Sequence, residues 1–285
     1  MSNLWLERRV LNFAHQGGAW EAPSSTLLAM RQAVAGGAHA LELDVHATAD
    51  RELVVCHDPT VERTTNGSGP IASMDLEELQ TLDNAFWWVP GTDVAPGRDK
   101  ADYPLRGRAP LDASLRIATL REVLEEFPDV FLNLDIKQTA PAVEPYEDLL
   151  ADLLHHYGRG DDVIVASFHD SATAAFAAFA PDIALAYGTT AIALFLGAVR
   201  GGSDPPAVDN VAFQVPTEFL GMTIVDEAFV AAAHRSGAAV HVWTIDDEVE
   251  MHRLLDLGVD GIVTNRPVTL AAVLSERRVA WNGKG

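Results

Sequence analysis

The chain has 285 residues, of which 48% are apolar and 21% charged, so it can bury a full core as one large domain or two small ones. Its 41 Asp and Glu residues against 20 Lys and Arg residues give a formal net charge of -21, which repels nucleic acid phosphates and anionic membrane surfaces. These values exclude a short peptide or a disordered tail and argue against a nucleic acid partner.

The sequence shows no sign of export or of a membrane span. The first residues, MSNLWLERRVLNF, lack the basic start, apolar stretch and small-residue cleavage site of a secretory signal. The longest apolar-rich region, from Phe176 to Val199, is broken by Pro181 and Gly188 before it reaches the length of a membrane helix. The single cysteine, Cys56, cannot form an internal disulfide. We therefore expect a cytoplasmic protein without stable membrane insertion.

Short apolar runs alternate with helix-length amphipathic stretches along most of the chain, which is typical of parallel strands joined by crossover helices. The predicted strands are Leu11–His15, Ala40–Val45, Val130–Lys137, Val163–Phe168, Ile183–Gly188, Val211–Val215, Val240–Ile245 and Gly261–Asn265. The predicted helices are Thr26–Ala35, Leu120–Phe127, Tyr146–Tyr157, Ser171–Phe179, Asp226–Ser236 and Asp247–Leu257. This α/β order and the chain length favour a (β/α)8 TIM barrel.

One run departs from the alternation. Leu53–Asp58 follows the second strand too closely for a parallel crossover, so we expect it to fold back as an antiparallel partner of that strand. The chain then runs from Pro59 to Ala118 before the next helix, which is much longer than an ordinary barrel loop. We interpret Thr65–Leu115 as an insertion over the barrel mouth, partly helical around Met74–Leu82, within a single TIM-barrel domain of residues 1–285.

Two pairs of charged residues occur inside apolar strands. Glu42 and Asp44 are two positions apart, so both side chains leave the same face of their strand, and Asp135 and Lys137 have the same spacing on another strand. In a barrel whose strands point to one rim these groups can meet, and converging carboxylates form a site for a hard cation. Charged residues also end strands simply because they reach solvent, but two such pairs within apolar runs favour a site.

Two histidines occupy strand ends. His15 ends the first strand and precedes Gly17 and Gly18, which allow the backbone to approach a ligand closely, and His57 ends the antiparallel strand. Such a pair can serve as general acid and general base near neutral pH. His46 continues the alternation of the second strand and is a further candidate for lining the site. The histidines of helical stretches are interpreted as solvated surface residues: His155, His156, His234 and His252.

Several motifs, in this order, resemble those of the glycerophosphodiester phosphodiesterase family. They are HQGGAWEAPSSTLLA, GAHALELDVHATADRELVVCHDPTVERTTNGSG, LNLDIK, VIVASF, VWTIDD and DGIVTNRP. The similarity runs from His15 to Pro267 and covers nearly the whole chain outside the insertion. The resemblance implies a barrel hydrolase that cuts a glycerophosphodiester into glycerol 3-phosphate and an alcohol with one divalent cation, commonly calcium or magnesium.

The resemblance also implies roles for individual residues. The metal ligands would be Glu42, Asp44 and Asp135. The residues acting on the phosphodiester would be the catalytic histidines His15 and His57 with Lys137 beside the phosphate, while Trp243 would pack against the glycerol or its substituent. One histidine would deprotonate the nucleophile and the other would protonate the leaving oxygen, with His15 preferred as the base. Water and the neighbouring glycerol hydroxyl both remain possible nucleophiles.

The chain departs from the family pattern at three places. Gln16 stands where the family usually has an arginine, which removes a bidentate phosphate donor and leaves a neutral side chain to bind substrate. The usual PENT segment reads PSST here, at Pro23–Thr26. Asp135 replaces a longer glutamate, which could shift the cation. We expect these changes to affect substrate choice more than reaction class.

Two other functions fit the sequence. The insertion carries three consecutive aromatic residues, Phe86, Trp87 and Trp88, which could grip the acyl chain of a lysophospholipid and make the enzyme a lysophospholipase D. The same rings could instead only fasten the insertion to the barrel. A catalytically inactive barrel that binds a phosphorylated ligand is a further alternative, which Gln16 and the altered PSST segment favour. The sequence leaves the natural head group and the oligomeric state open.

Overall fold

The structure, a computed structural model, describes residues 3–206 and 209–281. Its strands are β1 (Leu11–His15), β2 (Ala40–Ala47), β3 (Leu53–Val55), β4 (Phe131–Ile136), β5 (Val163–Ala166), β6 (Ala184–Leu185), β7 (Ala212–Val215), β8 (Glu218–Phe219), β9 (Met222–Thr223), β10 (Ala239–Val242) and β11 (Gly261–Thr264). Its α-helices are α1 (Leu4–Glu7), α2 (Leu27–Ala35), α3 (Leu76–Leu79), α4 (Leu120–Glu126), α5 (Glu147–His156), α6 (Asp170–Phe179), α7 (Thr189–Gly201), α8 (Glu227–Arg235), α9 (Glu248–Leu257) and α10 (Pro267–Glu276).

Eight parallel strands form the predicted barrel. They are hydrogen-bonded in the order β6, β5, β4, β2, β1, β11, β10, β7. A parallel bridge between Ala186 and Ala212 joins the two ends of this order, and the amide of Val211 donates to the carbonyl of Leu185 over 3.0 Å. The (β/α)8 fold class is therefore confirmed. Strand β3 pairs antiparallel with β2, as expected, with Val55 opposite Val45.

Side chains of the barrel strands alternate between the interior and the surrounding helices. On β4, Leu132 and Leu134 pack outward in one core with Leu150 of α5. Phe131, on the same strand, packs inward with Phe13 of β1. Because successive side chains of a strand point to opposite faces, residues two positions apart on one strand can both point into the barrel interior.

Helix α1 covers the end of the barrel where the strands begin. Its Trp5 lies 6.4 Å from the ring of Phe13 and meets Phe131 edge-on at 5.9 Å, measured between ring centroids. Together with the buried ring of His241, which packs against Trp5 and Phe13, these rings fill this end, opposite the rim at the carboxyl ends of the strands. In barrels of this kind that rim is where active sites form.

The segment predicted as an insertion contains little regular structure. Its only α-helix among the described residues is α3, shorter than the helical stretch expected around Met74–Leu82. The segment is tied to the loop that follows β1: the indole of Trp88 donates to the carbonyl of Ala19 over 3.1 Å, and the amide of Gly91 donates to Trp20 over 2.9 Å. Because that loop leaves the carboxyl end of β1, the segment lies at the rim that carries the predicted site.

Helix α7 covers the last part of the apolar-rich region Phe176–Val199, where the sequence predicts no helix. Its Phe195 packs against Phe213 of β7 at 4.3 Å and against Phe229 of α8 at 5.6 Å between centroids. Helices α1 and α10 were also not predicted. None of the helices in residues 3–206 and 209–281 combines the length and the apolar character needed to cross a membrane.

Replacing Phe195 with alanine should lower the free energy of unfolding by about 3 to 5 kcal/mol, because it leaves a cavity among buried rings. The matched control is Leu194→Ala on the same helix, where the side chain is 61% exposed and Phe195 is 0% exposed. The control should change stability by less than about 0.5 kcal/mol. Urea unfolding measures both, and similar values for the two variants would show that α7 does not pack as described.

Candidate active site

Three carboxylates lie together at the rim formed by β2 and β4. Asp44 pairs in register with Asp135 across the two strands, and Glu42 lies one inward-facing position below Asp44. All three side chains are buried. The ammonium of Lys137 lies 3.1 Å from Oδ1 of Asp44 and 3.3 Å from Oδ2 of Asp135. The two pairs predicted from their spacing are therefore brought together.

The negative charge of this cluster exceeds what the lysine neutralises. Burial, with repulsion from Asp44 and Asp135, raises the pKa of Glu42 well above its ordinary value. Burial also raises the pKa of Asp135 to about 6, against the opposing effect of Lys137. Burial disfavours the ammonium of Lys137, but the surrounding carboxylates dominate and raise its pKa above the ordinary value. The cluster therefore favours any further positive charge.

Two oxygens of the cluster have no partner among the described residues. Oδ2 of Asp44 and Oδ1 of Asp135 are buried and accept no hydrogen bond. Buried carboxylate oxygens of this kind are the donors that calcium and magnesium prefer. As they stand, however, no three His, Cys, Asp or Glu side chains in residues 3–206 and 209–281 are gathered closely enough to hold a metal ion. The donor chemistry fits a divalent cation, and binding one requires these side chains to draw closer.

His15 is held at one ring nitrogen by an amide. Its Nδ1 lies 2.7 Å from Oδ1 of Asn265. The Asn265 amide nitrogen donates to Oδ2 of Asp246 over 2.7 Å, and a carboxylate only accepts, so the amide oxygen faces His15. Nδ1 of His15 therefore carries the proton and Nε2 carries the lone pair. Burial lowers the pKa of His15, which favours this neutral form.

His57 is held by a carboxylate instead. Its Nδ1 lies 2.5 Å from Oδ1 of Asp58, and because a carboxylate only accepts, Nδ1 is the donor. This hydrogen bond lowers the pKa of Asp58. The rings of His15 and His57 are 6.5 Å apart between centroids and nearly perpendicular. The structure thus brings the two predicted histidines together with different partners.

Gln16 links His15 to the carboxylate cluster. The residue is 3% exposed and adopts a φ of 51°, in the left-handed region that opens the tight turn of the following glycines. Its backbone amide donates to Oε2 of Glu42 over 3.2 Å, and its side-chain Nε2 lies 3.2 Å from Nε2 of His15. Gln16 is therefore directed into the site, although the sequence did not predict its contact with the histidine.

Arg63 is a site residue that the sequence analysis missed. Its guanidinium donates to Asp58 over 3.0 Å, to Asp93 over 2.6 Å and to the side-chain oxygen of Gln16 over 3.3 Å. Arg63 belongs to the motif that contains His57, and its place in that motif is the one sequence feature that could have identified it. Nothing in the sequence pattern pointed to Asp93, which lies in the insertion.

A pair of aromatic rings lies on another part of the rim. Trp243 follows β10, as predicted, and meets the ring of Phe168 edge-on at 5.7 Å between centroids. Phe168 is exposed and lies 5.9 Å from the ammonium of Lys137. The sequence predicts only a strand at Phe168 and no role for its ring. Its neighbour Trp243 keeps its glycerol-binding role as a prediction.

The three aromatic residues of the insertion mainly contact their own segment. Phe86 and Trp87 pack edge-on at 4.7 Å, and the guanidinium of Arg106 lies over both rings and over Tyr103. Trp88 is 6% exposed and bonded to the loop after β1. These contacts support the interpretation that the rings fasten the insertion, while their contact with substrate stays a prediction.

A cavity of about 320 Å³ opens beside Lys137. Its wall includes His46, which is buried with Nε2 3.5 Å from the carbonyl of His57, and Pro59 from the following loop. The loop after β4, residues 138–142, completes much of the wall. Apart from the histidines, Lys137 is the charged residue among those that line the cavity. His46 therefore does border the site, as the sequence suggested.

One surface assignment is wrong. His234 of α8 was interpreted as solvated, but its Nε2 lies 2.8 Å from Oδ2 of Asp260, which is fully buried and also accepts the backbone amide of Val240. The helix position is half-buried because α8 packs on the barrel. His234 thus helps to satisfy a buried carboxylate far from the rim.

Comparisons with known proteins identify the family and agree with this fold. Residues 15–269 match the model of the glycerophosphoryl diester phosphodiesterase family. The glycerophosphodiester phosphodiesterase of Caldanaerobacter subterraneus subsp. tengcongensis is 30% identical over 266 residues, which cover 92% of this chain and 96% of that relative. The lysophospholipase D GDPD1 of Rattus norvegicus is 24% identical over 295 residues, covering 93% of this chain and 86% of that protein.

A solved structure shows the same fold. The glycerophosphoryl diester phosphodiesterase domain of Rv2277c from Mycobacterium tuberculosis superposes with a TM-score of 0.76 at 24% identity, covering 94% of this chain and 99% of that one. The family match includes both histidines, the rim carboxylates and Lys137. The chain belongs to the glycerophosphoryl diester phosphodiesterase family.

Proposed function

We propose that the protein hydrolyses glycerophosphodiesters to glycerol 3-phosphate and an alcohol by general acid and base catalysis at His15 and His57. As a member of this family it is an enzyme, a phosphoric diester hydrolase. The observation that carries the mechanism is the pair of histidine rings 6.5 Å apart at the rim where Lys137 and the carboxylates lie. Both groups can then act on one bound phosphate.

The different partners of the two histidines support different roles. His15, neutral with a lone pair on Nε2, acts as the base and takes a proton either from an attacking water molecule or from the neighbouring glycerol hydroxyl. Attack by the glycerol hydroxyl would first give a cyclic phosphate, which water then opens to glycerol 3-phosphate. The bond between phosphorus and the alcohol oxygen breaks as the new bond forms. His57, whose Nδ1 donates to Asp58, acts as the acid and gives a proton to the leaving oxygen.

The carboxylate cluster supports a metal site. Glu42, Asp44 and Asp135 would hold one divalent cation, calcium or magnesium, through the buried oxygens that lack partners among the described residues. When bound, such a cation offsets the negative charge of the phosphate in the ground state and the transition state. Lys137, which now neutralises parts of Asp44 and Asp135, would then turn its ammonium to the phosphate oxygens.

Size and charge near the phosphate site favour a compact substrate. The cavity beside Lys137 borders the loop that follows His57, so the alcohol protonated by His57 would enter it. Phe168 and Trp243 offer apolar ring faces to the carbon atoms of the glycerol on the other side of Lys137. The insertion rings Phe86 and Trp87 pack on one another, which argues against an acyl-binding surface. A lysophospholipid is therefore the second candidate substrate, supported by the lysophospholipase D relative.

Both histidines should be essential for turnover. His15→Ala and His57→Ala should each lower kcat on a glycerophosphodiester at least about a hundredfold while the fold is kept, because each removes a positioned proton-transfer group. His156→Ala, on the exposed part of α5, is the control and should match the wild type. If either rim variant keeps its activity, the substituted histidine has a structural role. A wild-type protein that is inactive on every diester would favour the non-catalytic barrel.

Removing divalent metal should abolish activity, and adding calcium or magnesium should restore it. The metal should also raise Tm more at pH 8 than at pH 5. Because the pKa of Asp135 is raised to about 6, the metal-free native state holds more protons than the unfolded chain between about pH 4 and pH 6. Metal-free stability therefore falls as pH rises through that window, and ionised carboxylates are then free to bind the cation.

Thermal unfolding at both pH values, with and without each cation, measures this difference. In Asp135→Asn the pH dependence of the metal effect should shrink, because the substituted side chain cannot ionise. Full activity after exhaustive chelation would remove the cation from the mechanism. An equal rise in Tm at both pH values would contradict the role given to Asp135.

Replacing Trp87 with alanine tests the lipid alternative. If the insertion rings only fasten their own segment, the variant should lose the same factor of kcat/KM on glycerophosphocholine and on a lysophosphatidylcholine. A ring that contacts an acyl chain contributes roughly 1 to 3 kcal/mol of binding, so a lipid-specific role predicts a selective loss on the lysolipid. Assays of both substrates below their aggregation concentrations decide between the two.

A further inference from the structure

We propose that Arg63 is the positioning residue that couples the two histidines to each other and to the insertion. This inference rests on the proposed function, since it concerns how the same site is held in order. Arg63 leaves the loop after the antiparallel strand β3 and lies between three segments of chain. Each of its three guanidinium nitrogens donates to a different one of them.

The first contact of Arg63 reaches His57. Nε of Arg63 donates to Oδ2 of Asp58 over 3.0 Å, while the other oxygen, Oδ1, accepts from Nδ1 of His57 over 2.5 Å. The carboxylate is therefore fixed at both oxygens, and its plane determines the direction of the imidazole. Without Arg63, Asp58 could rotate, and the ring that protonates the leaving oxygen would lose its orientation.

The second contact reaches His15. Nη2 of Arg63 donates to Oε1 of Gln16 over 3.3 Å. An arginine cannot accept, so the amide oxygen of Gln16 faces Arg63 and the amide nitrogen faces Nε2 of His15, 3.2 Å away. That nitrogen of His15 is therefore the acceptor. The orientation agrees with the one that Asn265 imposes at the other ring nitrogen.

The third contact reaches the insertion. Nη1 of Arg63 lies 2.6 Å from Oδ2 of Asp93. The other oxygen of Asp93 is buried and has no hydrogen-bond partner among the described residues, so Arg63 is the group that compensates this carboxylate. The insertion is thus linked to the histidines by the same side chain.

Arg63 acts through its neighbours and does not itself serve as the phosphate donor missing at position 16. Its single positive charge is divided between Asp58 and Asp93 at ion-pair distance, and its third nitrogen is used by Gln16. A planar fork with five donors can hold three partners in one plane, whereas a lysine ammonium is a point charge on a flexible stem. We therefore expect lysine not to replace it.

The test uses metal-supplemented enzyme and two glycerophosphodiesters, one with an alkyl alcohol and one with a nitrophenyl leaving group. Arg63→Gln should lower kcat for the alkyl diester at least about tenfold more than for the nitrophenyl diester, because nitrophenolate leaves without an acid. KM should change less than about threefold. Arg63→Lys should show the same selectivity, and this variant provides the test if the glutamine variant does not fold.

A double variant separates positioning from general damage. Arg63→Gln combined with Asp58→Asn should cost no more than the larger single change, because both act on His57 through one path. Arg253→Gln, which removes an exposed ion pair with Glu250 on α9, is the control and should keep wild-type kcat. Equal losses on the two diesters, multiplicative losses in the double variant, or full activity of Arg63→Lys would each overturn the proposal. Wild-type enzyme inactive on both diesters would instead refute the proposed function.

Discussion

The buried negative charge shared by β2 and β4 is the constraint on which the site depends. Glu42, Asp44 and Asp135 are buried at the interior rim of the barrel, where an ionised carboxylate without compensation is costly. One ammonium, from Lys137, compensates part of this charge, but burial and repulsion between the carboxylates still raise the pKa of Glu42 and of Asp135. An anionic substrate can bind at this negatively charged rim only together with added positive charge. The buried carboxylates therefore account both for the raised pKa values and for the proposed metal requirement.

The two histidines differ because different groups form hydrogen bonds with their rings. Asp246 orients the amide of Asn265, which fixes the proton on Nδ1 of His15. Asp58 faces His57 directly, and its carboxylate accepts the hydrogen bond of Nδ1. A neutral amide thus contacts His15, whereas a charged carboxylate contacts His57. The barrel supplies the rigidity, since β1 and β11 are neighbours and bring His15 next to the residue that follows β11.

Helix α7 was not predicted because its sequence is ambiguous. Most of its residues are apolar, and periodicity alone does not distinguish an apolar helix from a buried strand. It is stabilised by the ring contacts of Phe195 with β7 and α8, which are distant in sequence. His234 was misassigned for a similar reason, because a polar residue on a helix can face a buried carboxylate as readily as solvent.

The sequence by itself determined the barrel strands, from the alternation of apolar runs with helix-length stretches, and the antiparallel direction of β3, from the short connection before it. It also determined which polar side chains share a face of one strand, because side-chain direction along a strand has a local period of two. The tertiary structure decided which of these groups touch. Lys137 lies between Asp44 and Asp135, and Arg63 bonds to Gln16 and Asp93, which are 47 and 30 residues away in the chain. Such contacts depend on how separate loops pack over one rim, and no local period encodes that packing.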